Sequence, residues 1–557
     1  MKYKELFLSL LVITAMFSSK AQNIETGQLH GNFQTDIQNY YKDSSIGANK
    51  VPNEIVLMNS YANFTYTKGN FKAGLRFESC LNPLEGFSKS NDGIGFPHKF
   101  ITYQNDDLEI TVGSFYEQFG SGLILRSYEE KTLDIDNSLQ GFNLKFTPVT
   151  GIIIKGVYAK QRLYFSDVNG NSTLITGPGI IRGVDGELTI NDLIKALEDK
   201  STQVIIGGCF VSKFQEDLNP TYNLPENVGA WAGRVNINRG NINLSGEYAY
   251  KINDPSSDNS YIYKDGQALL LNFSYSKKGF GAYLSAKRVD NMSFRSNRDA
   301  TLNNLNINVL PAITKNHAYT LNAMYPYATQ IAGEAGIQAE LMYKFKKNTL
   351  LGGNYGTNIS LNFSRVNNID KQRVNDTIEI DQSGTLGYKS DFFKLGKEIY
   401  YQDMNLEITK KLSDKLSVII SYMNLIYNYD VIRGMTGHGK VYANIGIADI
   451  TYHISTKHTI RTEWQALFTK QDKGDWAMAL AEYSISPHWF FDVYDLFNYG
   501  NTENKVHYFT VATVYVKGSN RFQLSYGKQR EGIMCVGGVC RQVPASNGFA
   551  ISITSSF

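Results

Sequence analysis

The segment Cys535-Val536-Gly537-Gly538-Val539-Cys540 carries the most explicit local chemistry in this sequence of 557 residues. A Gly-Gly pair accepts the two positive φ angles of a type I′ hairpin turn. With Val536 and Val539 closing that turn as the hydrogen-bonded pair, Cys535 and Cys540 face each other at the next, non-hydrogen-bonded pair. Such pairs lie about 4.5 Å apart at Cα, near the lower end of the range a disulfide accepts. A structural disulfide in an oxidising compartment is the favoured reading; a redox or metal pair is the other use of two such thiols. Cys80 and Cys209 stand alone and receive no role.

A second constellation is Gly113 to Arg126, where glycines and charges are set among aromatics. Gly120-Ser121-Gly122 inside a strand predicts a bulge, which would change the face that follows. Glu117 and Arg126, an odd number of residues apart, then share a face, with Glu129 nearby. They form either an interior ion pair or a structural kink with solvated charges, and the kink is favoured. The eight histidines show no helical metal-ligand spacing, and no Gly-x-Ser-x-Gly or His-Glu-x-x-His element occurs. His438, in Gly434-Met435-Thr436-Gly437-His438-Gly439, has no carboxylate to orient it and reads as a loop residue. No catalytic, cofactor-binding or metal residue is assigned, and an enzyme is the weakest reading.

These residues must be positioned by strands, because period-2 alternation recurs from end to end. Phe71, Ala73, Leu75 and Phe77 oppose Lys72, Gly74, Arg76 and Glu78. Trp231, Val235 and Ile237 oppose Arg234, Asn236 and Asn238; after Arg239-Gly240, Ile242, Leu244 and Tyr248 oppose Asn243, Ser245, Glu247 and Lys251. Ala335 to Tyr343 and Tyr355 to Phe363 repeat the pattern, as do Ile460, Thr462, Trp464, Ala466 and Phe468 against Arg461, Glu463 and Gln465. Short turns such as Lys68-Gly69-Asn70 and Lys277-Lys278-Gly279 alternate with long polar segments at 84–97, 163–180, 215–226, 252–266, 295–332 and 366–396.

No apolar run is long enough for a spanning helix after the first residues, so a membrane location requires a closed barrel. The expected fold is all-β, a transmembrane antiparallel barrel of roughly 24 strands, give or take two, with short periplasmic turns and long extracellular loops. Its weakest stretches are 108–148, 295–332 and 431–457, where alternation is blurred. Asn191 to Asp199 suits a short helix, after a strand at Val184 to Ile190. On this reading Arg76, Glu78, Arg234, Glu247, Arg461, Glu463, Glu117 and Arg126 are lumen candidates. Both charge signs are present, so no single-sign selectivity ring forms.

Residues 1–21 read as a signal peptide, with basic Lys2 and Lys4, an apolar Leu6 to Phe17, and Ser19-Lys20-Ala21 before cleavage at Gln22. An N-terminal anchor is the alternative, and the apolar run is short for one. Residues 22–557 form one barrel domain with no room for an N-terminal plug. Removing the peptide takes three lysines and one glutamate from a chain of net charge +3, leaving a nearly neutral protein with no electrostatic case for nucleic acid. Phe549, Ile551, Ile553, Ser555 and Phe557 share one face of a final strand. They resemble the C-terminal signal through which barrel-assembly machinery recognises its clients.

The dense Tyr/Asn strands, the terminal Phe557, and the segments Gly183-Val184-Asp185-Gly186-Glu187-Leu188 and Gly532 to Pro544 resemble an uncharacterised outer-membrane β-barrel family of Bacteroidota. The resemblance implies fold and location over the whole mature chain, but no substrate and no catalytic residue. The partners expected are outer-membrane lipid, the assembly machinery and other outer-membrane proteins. The leading expectation is a porin-like or transport-related barrel for small solutes; the rival is a non-conducting subunit of an outer-membrane assembly, secretion or surface complex.

Overall fold

A computed structural model describes residues 27–168, 171–198 and 200–557. The expected signal peptide, with its cleavage point before Gln22, lies outside the described residues. In chain order the wall strands are β1 (Gln28–Gln38), β2 (Leu57–Lys68), β3 (Phe71–Cys80), β4 (Gly93–Gln104), β5 (Leu108–Phe115), β6 (Leu139–Phe146), β7 (Ile152–Val168) and β8 (Asn171–Thr189). They continue as β9 (Thr202–Phe214), β10 (Asn227–Arg239), β11 (Ile242–Lys251), β12 (Gly266–Lys277), β13 (Phe280–Asp290), β14 (Gly333–Phe345), β15 (Thr357–Gln372) and β16 (Lys389–Lys411). The last eight are β17 (Leu416–Asn428), β18 (Lys440–His453), β19 (His458–Thr469), β20 (Trp476–Ile485), β21 (Trp489–Phe497), β22 (His507–Lys517), β23 (Asn520–Gln529) and β24 (Ser546–Ser556).

All belong to one 24-stranded sheet. Each strand pairs antiparallel with its sequence neighbour, and β1 closes the ring by pairing with both β2 and β24. The ladder reaches the final residue, where Gly31 N donates to Phe557 O and Phe557 N to Gly31 O, both at 3.0 Å. Closure leaves no unpaired edge, as a spanning sheet requires. Among the described residues no helix is long and apolar enough to cross a membrane.

The faces are those of a barrel in lipid. Leu75, Ile101, Val112, Trp231, Leu244 and Trp464 point outward and are exposed, while Arg76, Glu78, Glu247 and Glu463 point inward and are buried. Aromatics gather at both ends of the outer surface. Trp489 and Tyr515 (centroids 4.6 Å apart) lie at the short-turn end, and Tyr526 and Phe549 (4.6 Å) at the other, as interfacial girdles do. The short-turn end carries two-residue connections such as Gly240-Asn241 between Arg239 and Ile242. Gly240 has φ 56°, which the first central position of a II′ turn demands.

Several sequence expectations change. The polar stretch 163–180 is not a loop, because β7 and β8 run through it with register shifts near Thr176. Likewise β15 and β16 take up the two ends of 366–396. Polar residues are compatible with strand where a hairpin projects beyond lipid into water, so polarity alone did not mark a loop. Finally, β5 ends at Phe115, and Gly120-Ser121-Gly122 is no strand bulge. It belongs to a segment, 116–138, that leaves the wall and enters the barrel. The expected strand from Val184 is the end of β8, while in place of a helix over Asn191 to Asp199 there is one helical turn at Ile190–Leu193 and a 3-10 turn at Lys195–Leu197, with Asp199 outside the described residues.

Candidate functional site

The lumen is filled by the protein's own connections. Segment 116–138 and the long connection 291–332 interlock through backbone bonds, Arg126 N to Ile307 O (2.8 Å) and Val309 N to Gly122 O (3.1 Å), and within 291–332 Ile307 N donates to Phe294 O (2.8 Å). Phe119, Leu123, Ile124 and Phe294 are almost fully buried and form one apolar cluster with inward wall residues Val211, Ala249, Met423 and Ile445. The inner face is therefore layered along each strand. On β18, Val441, Ala443, Ile445 and Ile447 receive the plug, and Asp449 begins the polar layer nearer the short turns. The charged lumen expected from sequence is therefore interrupted by apolar wall positions where the plug packs.

Connection 291–332 is then stitched across the wall. Lys315 Nζ meets Glu340 on β14 at 3.0 Å, and His317 Nε2 lies 2.8 Å from Asp403 on β16. Tyr319 donates to Asp449 on β18 at 3.2 Å, the Leu321 amide to Gln465 on β19 at 2.8 Å, and Tyr325 to Asp472 at 2.9 Å. Near its end, Glu334 accepts from the Gln330 amide (2.6 Å) and the Tyr327 hydroxyl, and lies 2.5 Å from Lys287.

The sequence-predicted lumen residues all lie inside, but they are not gathered in one place. Arg76 reaches Glu129 (2.9 Å) and Asp136 (3.0 Å) of the plug, while Arg162 reaches Glu78 (2.8 Å) and Asp136 (2.7 Å). Arg234 pairs with Asp185 at 2.6 Å and Glu187 at 3.1 Å. Arg461 joins Asp449 (2.8 Å) and Glu463. Glu247 accepts the Ser121 amide at 2.7 Å. A Cβ on Gly120 would lie 2.6 Å from that carboxylate, and Gly120 has φ 52°. The glycines thus wrap backbone around Glu247. Glu117 and Arg126 form no pair with each other: Glu117 binds Lys155 (2.8 Å), and Arg126 lies over the Tyr128 ring (5.0 Å).

Cys535 and Cys540 are bonded, with Cα atoms 4.1 Å apart, in the hairpin and register the sequence indicated. Gly537 and Gly538 both have positive φ. The hairpin tip does not project outward. It folds onto the plug, where Ala312 N donates to Gly537 O (3.2 Å) and Thr329 N to Gly538 O (3.0 Å). Phe549, Ile551, Ile553 and Phe557 alternate on β24 and its end, and Phe549 is exposed on the lipid side.

What sequence reasoning missed is the plug side of each contact. His317, Lys315 and Lys287 lie in stretches where their partners are set by a tertiary crossing, and no spacing signals that. Several cavities remain beside the plug. One of about 300 Å³ near the long-loop end is lined by Glu78, Asp134, Asp136 and Arg162. There burial pushes the loop carboxylate Asp134 up to about 6, against the Ser88 amide it accepts. A larger one, about 720 Å³, lies off-centre against β1 and β21–β24. Among the described residues no three His, Cys, Asp or Glu side chains converge as metal ligands.

A family described as "Family of unknown function (DUF6029)" matches residues 3–557. No curated protein matches the sequence. Among solved structures, the P pilus usher (PapC) translocation pore aligns at 9% identity and TM-score 0.40, over 95% of this chain and 99% of that one. A mutant ferric enterobactin receptor (PfeA) from Pseudomonas aeruginosa aligns at 10% identity and TM-score 0.44, over 95% and 80%. The copper transporter OprC aligns at 8% identity and TM-score 0.39, over 97% and 81%. Nothing about function follows from similarities at this level.

Proposed function

The chain belongs to the DUF6029 family, and we propose that it is an outer-membrane transport barrel for small solutes, held closed at rest by its own connections. The observation that carries this reading is the plug. A wall of 24 strands encloses far more room than its own side chains fill. That room is taken by 291–332 and 116–138, which are bound to the wall by individual polar contacts that can be exchanged for water. Passage then requires displacing 291–332 or widening the off-centre cavity beside it. On this reading the lipid-facing belt sits in the outer membrane, and the strand bearing Phe549, Ile551, Ile553 and Phe557 is the one assembly machinery reads.

The rival is a non-conducting subunit of a larger outer-membrane complex, and the apolar packing of the plug favours it, since a buried core resists opening. Planar-bilayer conductance separates the two. Asp290 and Gly333 are ladder partners, so Asn-Gly can replace 291–332 as a two-residue hairpin. The wild type should be silent or open only briefly, and the trimmed barrel should conduct steadily. A trimmed barrel that keeps the heat-modifiable gel mobility of a folded barrel yet passes no current would leave the subunit reading. Continuous wild-type channels would show that 291–332 does not close the lumen.

A further inference from the structure

The short-turn end, which outer-membrane barrels turn toward the periplasm, is not uniform around the ring. Three successive connections there are basic. Lys277 and Lys278 lie at the turn from β12 to β13, Lys346 and Lys347 in the connection from β14 to β15, and Lys411 and Lys415 around the turn from β16 to β17; all six are exposed. Across 277–279, 345–357 and 411–416 the one carboxylate is Asp414, which lies 3.6 Å from Lys411. Neighbouring strands are about 4.8 Å apart, so the three connections span about 20 Å of the rim. On the far side of the ring the turn from β4 to β5 carries Asp106 and Asp107 instead.

The middle connection is built to present leucine. It runs eleven residues, 346–356, between neighbours of two (278–279) and four (412–415). The extra length is ordered. Gly353 N donates to Thr349 O at 2.8 Å, Asn348 N to Gly353 O at 2.6 Å, and Thr349 Oγ1 to Lys346 O at 2.8 Å. Thr357 Oγ1 (2.7 Å) and Lys410 Nζ (3.4 Å) both donate to Leu351 O. A Cβ on Gly352 would collide with Lys346 O, so the loop closes tightly on itself. At its apex Leu350 is 97% exposed, and Leu351 is 57% exposed. A hydrogen-bonded loop that holds two leucines in water gains nothing from them in the free protein, and side chains ordered in advance lose little entropy on docking.

We propose that this sector is the docking surface for an acidic periplasmic protein, which takes Leu350 and Leu351 in an apolar cleft bordered by carboxylates. Six lysines against one carboxylate attract an acidic surface and repel a basic one. The leucines supply the apolar contact at the centre of such an interface, inside a charged rim. Phospholipid headgroups are the other anions at this end of the barrel. They surround the whole rim, whereas the lysines occupy one sector and the turn across from it is acidic. The proposal goes beyond the transport reading and holds equally for a barrel that conducts and one that does not.

The full chain is expressed in its native host with p-benzoylphenylalanine in place of Leu350, and the cells are irradiated. A discrete protein adduct should form, and mass spectrometry should place the crosslink in a segment of net negative charge. The same photoreactive residue in place of Ser519, in the turn from β22 to β23 outside this sector, should give no such adduct. Lys346→Glu/Lys347→Glu should lower the adduct yield roughly tenfold or more, and so should Lys277→Glu/Lys278→Glu, which leaves the middle connection untouched. Yields are compared at equal amounts of barrel with the heat-modifiable gel mobility of the folded form.

An adduct with phospholipid or peptidoglycan overturns the proposal, as does a crosslinked protein segment that is neutral or basic. Equal adducts at Leu350 and Ser519, no adduct from a folded barrel, or yields unmoved by both charge reversals overturn it as well.

Discussion

Lys287 and Glu334 sit on neighbouring strands with side chains fully buried and 2.5 Å apart. Two charges taken out of water each cost several kcal/mol unless they meet each other and further hydrogen bonds. Here they do: Lys287 also donates to Pro311 O at 2.5 Å, and Glu334 accepts the Gln330 amide and the Tyr327 hydroxyl. The pair therefore holds the plug at both partners. Lys287→Met should destabilise the barrel by about 3–5 kcal/mol in guanidinium unfolding, because Glu334 is left buried and uncompensated. Adding Glu334→Gln should recover most of that loss; a double variant as unstable as the sum of the singles would mean the two charges are not coupled. Alternation foretold which face such residues take, as it did for Arg234 and Glu247, but not whom they meet. Glu117 finds Lys155 and not Arg126 because the strand that was expected to carry both stops at Phe115.

The disulfide hairpin is an element whose covalent chemistry was legible and whose placement was not. Val-Gly-Gly-Val between two cysteines specifies a tight turn and a facing pair from local geometry alone. That the tip lies on the plug depends on contacts across the barrel, from Ala312 and Thr329 to Gly537 and Gly538 and from the Asn303 side chain to Cys540 O at 2.8 Å. A bridge closing so short a loop, with the cysteines five residues apart, contributes about 2 kcal/mol by the chain-entropy account. Its loss should loosen the hairpin without unfolding the wall. In Cys535→Ser/Cys540→Ser, hydrogen exchange at the Ala312 and Thr329 amides should rise by roughly ten- to thirtyfold while the strand amides of β17 to β19 stay protected. Unchanged exchange at those two amides would mean that the plug is held without the hairpin.

At the scale of the whole barrel, the strand count could be read because lipid outside and a wet or charged layer inside impose opposite chemistry on successive residues. It blurred at 431–457 for a physical reason: inward Val441, Ala443, Ile445 and Ile447 are apolar because they face the plug, while the outward face carries Asn444 and Gly446 between Tyr442 and Ala448, so the usual polar-in, apolar-out contrast is lost there. Beside its backbone ladder, the seam between β1 and β24 holds one close side-chain approach. The Phe557 ring lies over Gly31 and 6.2 Å from the Phe64 ring, and a Cβ on Gly31 would come 2.3 Å from Phe557 Cζ and 2.8 Å from Asn63 O. Gly31→Ala should therefore force the ring off the seam at a cost of about 1–3 kcal/mol, as overpacking does. Phe557→Ala removes the ring and its packing but also most of the clash, so Gly31→Ala should cost less in that background. Heat-modifiable mobility and denaturant unfolding of the two single variants and the double variant measure this coupling. Strictly additive losses would place the strain at Asn63 O and not at the ring. Less-than-additive losses would place the strain at the ring over Gly31, since the paired backbone bonds between Gly31 and Phe557 are the same in every variant.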